Sequence, residues 1–174
     1  MDDGLKPCFV MFARYNQWAN ERLFEAVAML SEAEYRRDGG AFFKSLHGTL
    51  NHLLVADRIW LRRLTGSGDA PARLDTILFE RLADLRAARR AEDQRLISWI
   101  EQLEPSAFEG SVRYSRASSS EIFEQKIAPA LFHVFNHQTH HRGQAHALLT
   151  ATAGKAPELD LVYFQRLTEK PSAE

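Results

Sequence analysis

Four of the chain's seven histidines fall in one short segment, His133-Val134-Phe135-Asn136-His137-Gln138-Thr139-His140-His141-Arg142-Gly143-Gln144. His137 and His141 stand four residues apart. On an α-helix that spacing leaves both side chains on one face, one turn apart, so two imidazoles can grip a single divalent ion. Metal chemistry is therefore the first expectation.

The stripe that faces inward on this helix reads Leu131, Val134, His137, His141, Ala145, Leu148, with two histidines where a bundle would place leucine. A buried imidazole costs free energy unless its nitrogens find partners, and one shared ion satisfies both rings. Two ligands hold a divalent ion weakly, so a third is expected from another helix. His52 is the best placed, beside Leu53 and sharing a face with Thr49, Ala56 and Ile59. His47 is rotated from it by ~140° and is expected at the surface or as a capping group. His146 is set apart from the ligand face, and His140 lies ~60° off the His137 direction and stays open. His133, one turn before His137, stays open as a cleft residue, an outer-sphere donor or a ligand. Asp57 and Glu92 fall on inward stripes as orienting or proton-transfer candidates, with an internal arginine pair as the plainer reading. Gln144 is a candidate for steadying a bound water or for an interhelical contact.

Four helical patterns carry these residues. The first runs from about Pro7 to Ser31 through Phe9, Phe12, Asn16, Ala19, Leu23, Val27 and Leu30. The second carries Leu46, Leu50, Leu53, Asp57, Trp60 and Leu64 and stops at Thr65-Gly66-Ser67-Gly68. The third is expected over Asp75 to Leu103, with Leu78, Leu82, Leu85, Leu96 and Trp99 inward and Arg86, Arg89 and Arg90 on a solvated face. Residues 106–126, including Val112-Arg113-Tyr114 and Ser118-Ser119-Ser120, read as a long crossover with room for a short hairpin. The fourth helix opens near Ile127-Ala128-Pro129 and closes at Gly154, and residues 157–167 form a tail with a short helix. Trp18, Trp60 and Trp99 are expected in the core. The fold class is all-α: a four-helix bundle, one domain over 1–174, with a long crossover between the third and fourth helices and a short C-terminal helix.

The chain has 174 residues, 45% of them hydrophobic, and a formal net charge of -1, which leaves no basic footprint for nucleic acid. Its apolar runs are far shorter than the ~18 residues a membrane span needs. With one cysteine, Cys8, and Met1-Asp2-Asp3-Gly4 lacking an export layout, a reducing cytoplasmic setting is expected, with neither nucleic acid nor membrane as partner. There is no Glu-x-x-His pair for a di-iron bundle, no His-Glu-x-x-His, no Gly-x-Ser-x-Gly, no phosphate loop and no Cys-x-x-Cys-His.

The segment Thr49-Leu50-Asn51-His52-Leu53-Leu54-Val55-Ala56-Asp57-Arg58-Ile59-Trp60-Leu61, followed by His133 to His137 and by His140-His141-Arg142-Gly143-Gln144, resembles the DinB family of damage-inducible, YfiT-like proteins. The likeness extends from the aromatic first helix to Asp160-Leu161-Val162-Tyr163. It implies a bundle with a long crossover, a homodimer, and a three-histidine divalent metal site, which on this sequence falls on His52, His137 and His141. Three imidazoles leave a coordination position open, which suits Lewis-acid chemistry on a small molecule. By family analogy the expected reaction is a transfer or isomerisation using a low-molecular-weight thiol, with hydrolysis beside it; Cys8 is not expected to be that thiol. The expected ion is zinc, with nickel, iron and manganese also suited to these donors. The alternatives are a stress-response or small-molecule-binding module that holds metal without turnover, and a structural dimer whose histidines meet no metal.

Overall fold

The computed structural model describes residues 4–116 and 119–169, so Met1-Asp2-Asp3 and Ser118, read above, lie outside the described residues. Its elements are α1 (Leu5–Val27), α2 (Glu32–Arg36), α3 (Leu46–Thr65), α4 (Leu82–Gln102), β1 (Ser111–Arg116), β2 (Ser119–Lys126), α5 (Ile127–Ala153) and α6 (Leu161–Thr168). The four long helices are the four expected from periodicity, and the molecule is all-α apart from the β1–β2 hairpin.

Local chemistry explains most boundaries. Ser45 caps α3 by accepting from the Gly48 N–H at 3.1 Å. Gly66 and Gly154 end α3 and α5 in the left-handed region, at φ 72° and 73°. The first helix stops at Val27, short of the expected Ser31, because Ser31 and Glu34 form a capping box that starts the separate α2. The hairpin lies inside the connection between the third and fourth long helices, with Tyr114 opposite Phe123.

Helix α1 packs on α4 and α5, and α3 packs on the same two, so the four form a closed ring with α1 and α3 on the diagonal. The core divides by height. At one end Phe9, Ala13, Leu61, Leu96, Ile100, Leu131 and Phe135 form one apolar cluster. At the other, Leu23, Val27, Leu50, Leu54, Leu85, Ala145 and Leu149 form a second. Between them every long helix contributes buried polar groups: Asn16 and Asn20, Asp57, Arg89 and Asp93, and Gln138 and Arg142. Arg89, expected on a solvated face, is 2% exposed and bridges Asp57 at 2.8 Å and Asp93 at 3.0 Å. Its place four residues after Leu85 is on the inward stripe, and two carboxylates make burial of the guanidinium tolerable. The tryptophans sit at the rim of the core rather than inside it, each partly buried against an apolar cluster.

Both α3 and α4 enter at the Leu50/Leu85 end and leave at the Leu61/Ile100 end, so they run parallel. Residues 66–81 must then return the chain along the bundle, a span of about 30 Å for a helix of this length. This return segment explains why α4 begins at Leu82 and not near Asp75. Ile77, Leu78 and Phe79 have helical spacing, yet the Asn51 side chain accepts from the Leu78 and Phe79 N–H groups at 2.9 and 3.0 Å and holds them in a non-helical course. Among the described residues no helix is long and apolar enough to cross a membrane.

Candidate metal centre

Helix α3 delivers His52 and α5 delivers His137 and His141 to the groove between these two helices. One ring nitrogen from each lies within 4.8 Å of the others, close enough to hold one ion. The Nε2 atoms of His52 and His137 are 3.4 Å apart, and the His141 ring centroid is 4.4 Å from both of the other rings. Burial depresses the basicity of all three. The His52 pKa falls to about 4, chiefly through desolvation, and that of His137 to about 3 through desolvation and its histidine neighbours; His141 is lowered by the same leading cause. Each neutral ring keeps one unprotonated nitrogen able to bind a cation.

The opposite nitrogens fix which lone pairs face inward. The Nδ1–H of His52 donates to the Leu74 carbonyl at 2.9 Å, and the Nδ1–H of His141 donates to Gln144 Oε1 at 2.8 Å. Each Nε2 is thereby left unprotonated toward the cluster, the arrangement by which an outer partner orients a metal-binding histidine. Phe43 lies flat on His52, with centroids 3.7 Å apart and planes 17° apart, and meets His141 edge-on. That stack depends on Gly48: a Cβ there would lie 2.1 Å from the Phe43 carbonyl oxygen. His52 is fully buried, while His137 and His141 are half-buried, so the cluster opens outward along α5.

A model of the DinB family matches residues 1–172. The chain belongs to the DinB family. It is also similar to "Protein DinB" of Bacillus subtilis strain 168, with 29% identity over 90% of this chain and 94% of that one. A DinB-like protein from Bacillus cereus ATCC 10987 has a similar fold, with a TM-score of 0.64 and 14% identity over 84% of this chain and 94% of that chain.

The other candidates in this DinB chain separate cleanly. His133 lies beside the cluster, its ring 5.7 Å from His137 and 4.9 Å from Trp60, outside the three-residue group. His140 is exposed and sits against Gln144, and His146 meets the Pro157 carbonyl. His47 is not a surface group: it is 6% exposed, with Nε2–H donating to the Phe79 carbonyl and Nδ1 facing Arg36. Its partners come from the return segment and α2, which no spacing rule reveals. Asp57 and Glu92 are ion-paired, with Arg89 and with Arg95 and Arg58 respectively, and neither hydrogen-bonds a cluster histidine. Gln144 acts on His141 rather than above His137. Phe43 and the Leu74 carbonyl went unnoticed in the sequence; the close Gly48 approach was the available signal for Phe43, and a backbone carbonyl leaves none.

Proposed function

We propose that this chain is a divalent-metal protein that holds one ion, zinc by preference over nickel, iron or manganese, on Nε2 of His52, His137 and His141. The observation that carries this reading is the convergence of three neutral imidazoles, two of which have their outward nitrogens already committed, His52 to the Leu74 carbonyl and His141 to Gln144. Such a set offers one lone pair from each ring to a cation. When bound, the ion supplies Lewis acidity to an oxygen or sulfur atom of a small molecule.

The chain's own residues define the rest. Phe43 shields the His52 face from water, Gln144 holds the His141 ring, and His133 with Trp60 bounds the groove one turn along α5. The two carboxylates on the inward stripes, Asp57 and Glu92, are paired with arginines, and neither hydrogen-bonds a cluster histidine as a general base would. This favours a reaction in which activation at the ion does the chemical work, such as transfer or isomerisation of a small molecule with a low-molecular-weight thiol, over hydrolysis. We extend the proposal to a homodimer in the cytoplasm.

Elemental analysis of protein purified without a metal-affinity column tests the first step: the expected result is one equivalent of divalent metal per chain, absent from His137→Ala. Thiol-dependent turnover by the metal-loaded protein that vanishes in His137→Ala supports an enzyme. Stoichiometric metal with no exchangeable ligand position assigns the chain to a binding module instead, and a folded protein that takes up no metal overturns the reading. Light scattering on a sizing column decides the dimer.

A further inference from the structure

We infer that Asn51 is a positioning residue for the histidine cluster, acting through the return segment 66–81 to fix the carbonyl that selects the His52 tautomer. Asn51 is fully buried next to His52 on α3, and its amide spends its whole hydrogen-bonding capacity. Oδ1 accepts from the Leu78 and Phe79 N–H groups at 2.9 and 3.0 Å, while Nδ2 donates to the Phe79 and His47 carbonyls at 3.2 and 3.0 Å. One side chain thus serves the return segment as a neighbouring strand would. A compact turn carries this anchorage back to Leu74, because the Thr76 hydroxyl donates to the Arg73 carbonyl at 2.8 Å.

The anchorage matters because Leu74 itself is poorly held, with its side chain 58% exposed and its backbone outside helix and strand, while His47 and Arg36 fasten the segment only beyond it, at the Phe79 and Glu80 carbonyls. Yet its carbonyl is what His52 Nδ1 faces at 2.9 Å. A carbonyl only accepts, so Nδ1 must carry the proton and Nε2 the lone pair turned to His137. If the segment lifts, the neutral ring is free to place its proton on Nε2, and the donor atom is lost. The link from Asn51 to the cluster runs through backbone and stands whether or not an ion is bound; only its affinity arm rests on the metal reading proposed above.

Proton–nitrogen correlation spectra of the metal-free protein above neutral pH read the tautomer directly. The unmodified protein is expected to show His52 in the Nδ1–H form, and Asn51→Leu a mixture with Nε2–H. Cobalt titration followed by absorbance should show Asn51→Leu binding about 10–100-fold more weakly, as for lost outer-sphere partners. Leu96→Ala, which loosens the apolar cluster beyond the polar layer, separates positioning from general destabilisation and should leave cobalt affinity near the unmodified value. An Nε2–H His52 in the unmodified protein overturns the inference whatever the variants do. So does an unchanged tautomer in folded Asn51→Leu, or an equal loss of cobalt affinity in Leu96→Ala. Failure of the unmodified protein to bind cobalt counts against the metal reading, and the tautomer spectra then decide this inference alone.

Discussion

Helix α5 presents polar side chains on two flanks at the same height, and the two flanks solve opposite problems. Gln138 and Arg142 turn to the centre of the bundle, where donors meet acceptors: Gln138 Nε2 donates to Asp57 at 2.5 Å and to the Leu53 carbonyl at 3.1 Å, and Arg142 donates to Asn16 at 2.6 Å and Asn20 at 3.1 Å. Asn16 and Asn20 in turn donate to Asp93, which Arg89 also bridges. Two carboxylates and two guanidiniums balance in charge, so the layer is neutral as a whole, although Gln138 Oε1 and Arg89 Nε are buried there without a hydrogen-bond partner. His137 and His141, each one residue before a member of that layer, turn to α3 and converge on His52, three imidazoles with no carboxylate in their group. A buried polar group is structural when its partners are complementary and a ligand site when they repeat its own sign. Here the two cases are one residue apart in sequence.

The sharpest way to break the balanced flank is Arg89→Met, which strips the shared partner from two carboxylates that are each 2% exposed. The expected loss is about 3–5 kcal/mol in urea unfolding, the cost of orphaning buried charge, and apolar volume in place of the guanidinium does not recover it. A loss under about 1 kcal/mol would show the layer to be solvated and the contrast false. The unbalanced flank should behave in the reverse sense. Removing a histidine from it removes the cost of burying a polar ring, so His137→Leu is expected to leave the metal-free protein as stable as before or more so. What it abolishes is zinc-linked stabilisation, about 2.7 kcal/mol when free zinc is one hundred times the dissociation constant. Thermal unfolding with and without zinc measures both halves, and a metal-free protein that loses several kcal/mol in His137→Leu would make that histidine structural.

The same contrast explains what could be read from the sequence. His137 and His141 were legible because an i, i+4 pair on a leucine stripe is a local signal, and His52 because it borders the stripe of its own helix. The four long helices and the hairpin connection followed from periodicity and turn residues. Arg89 was misjudged because it sits in a run with Arg86 and Arg90, and residue type outweighed position; its balancing partners Asp57 and Asp93 come from α3 and from one turn further along α4. His47 and the start of α4 were lost for one shared reason. Both depend on residues 76–80 folding back on α3, a contact some 28 residues long-range made by the Asn51 amide, and helical spacing of Ile77, Leu78 and Phe79 pointed the other way. Charge-balanced layers hide in sequence because complementarity is a property of pairs.

Gln144 offers a smaller test on the histidine flank. It fixes only the outer nitrogen of His141, so Gln144→Ala should weaken zinc binding by about tenfold, close to 1.4 kcal/mol, with unfolding of the metal-free protein unchanged. Competition with a chromophoric chelator reads that shift. No change in affinity would mean that water serves the half-buried His141 ring as well as the amide does.

The smallest effect is the one in which the flanks oppose each other directly. In the metal-free protein the His52 and His137 pKa values are pulled from 6.5 to about 4 and about 3, so between those values and 6.5 the unfolded chain binds more protons than the folded one. Stability from this flank is complete above pH 6.5 and drains away as pH falls toward the folded values. Burial pushes the Asp57 carboxyl the other way, from 3.8 up to about 6 against the pull of Arg89. There the folded chain binds more protons, so stability is complete below 3.8 and is lost as pH rises through about 6. Across the shared window the two slopes partly cancel, and the unmodified metal-free protein should show a shallow dependence. His137→Leu removes one acid-sensitive term and should lose less stability on acidification, by about 1 kcal/mol once screening of a half-buried ring is allowed for. Asp57→Asn removes the opposing term and should lose more. Urea midpoints at the two edges of that window decide it: parallel slopes in all three proteins would mean that neither flank is buried as deeply as its geometry shows.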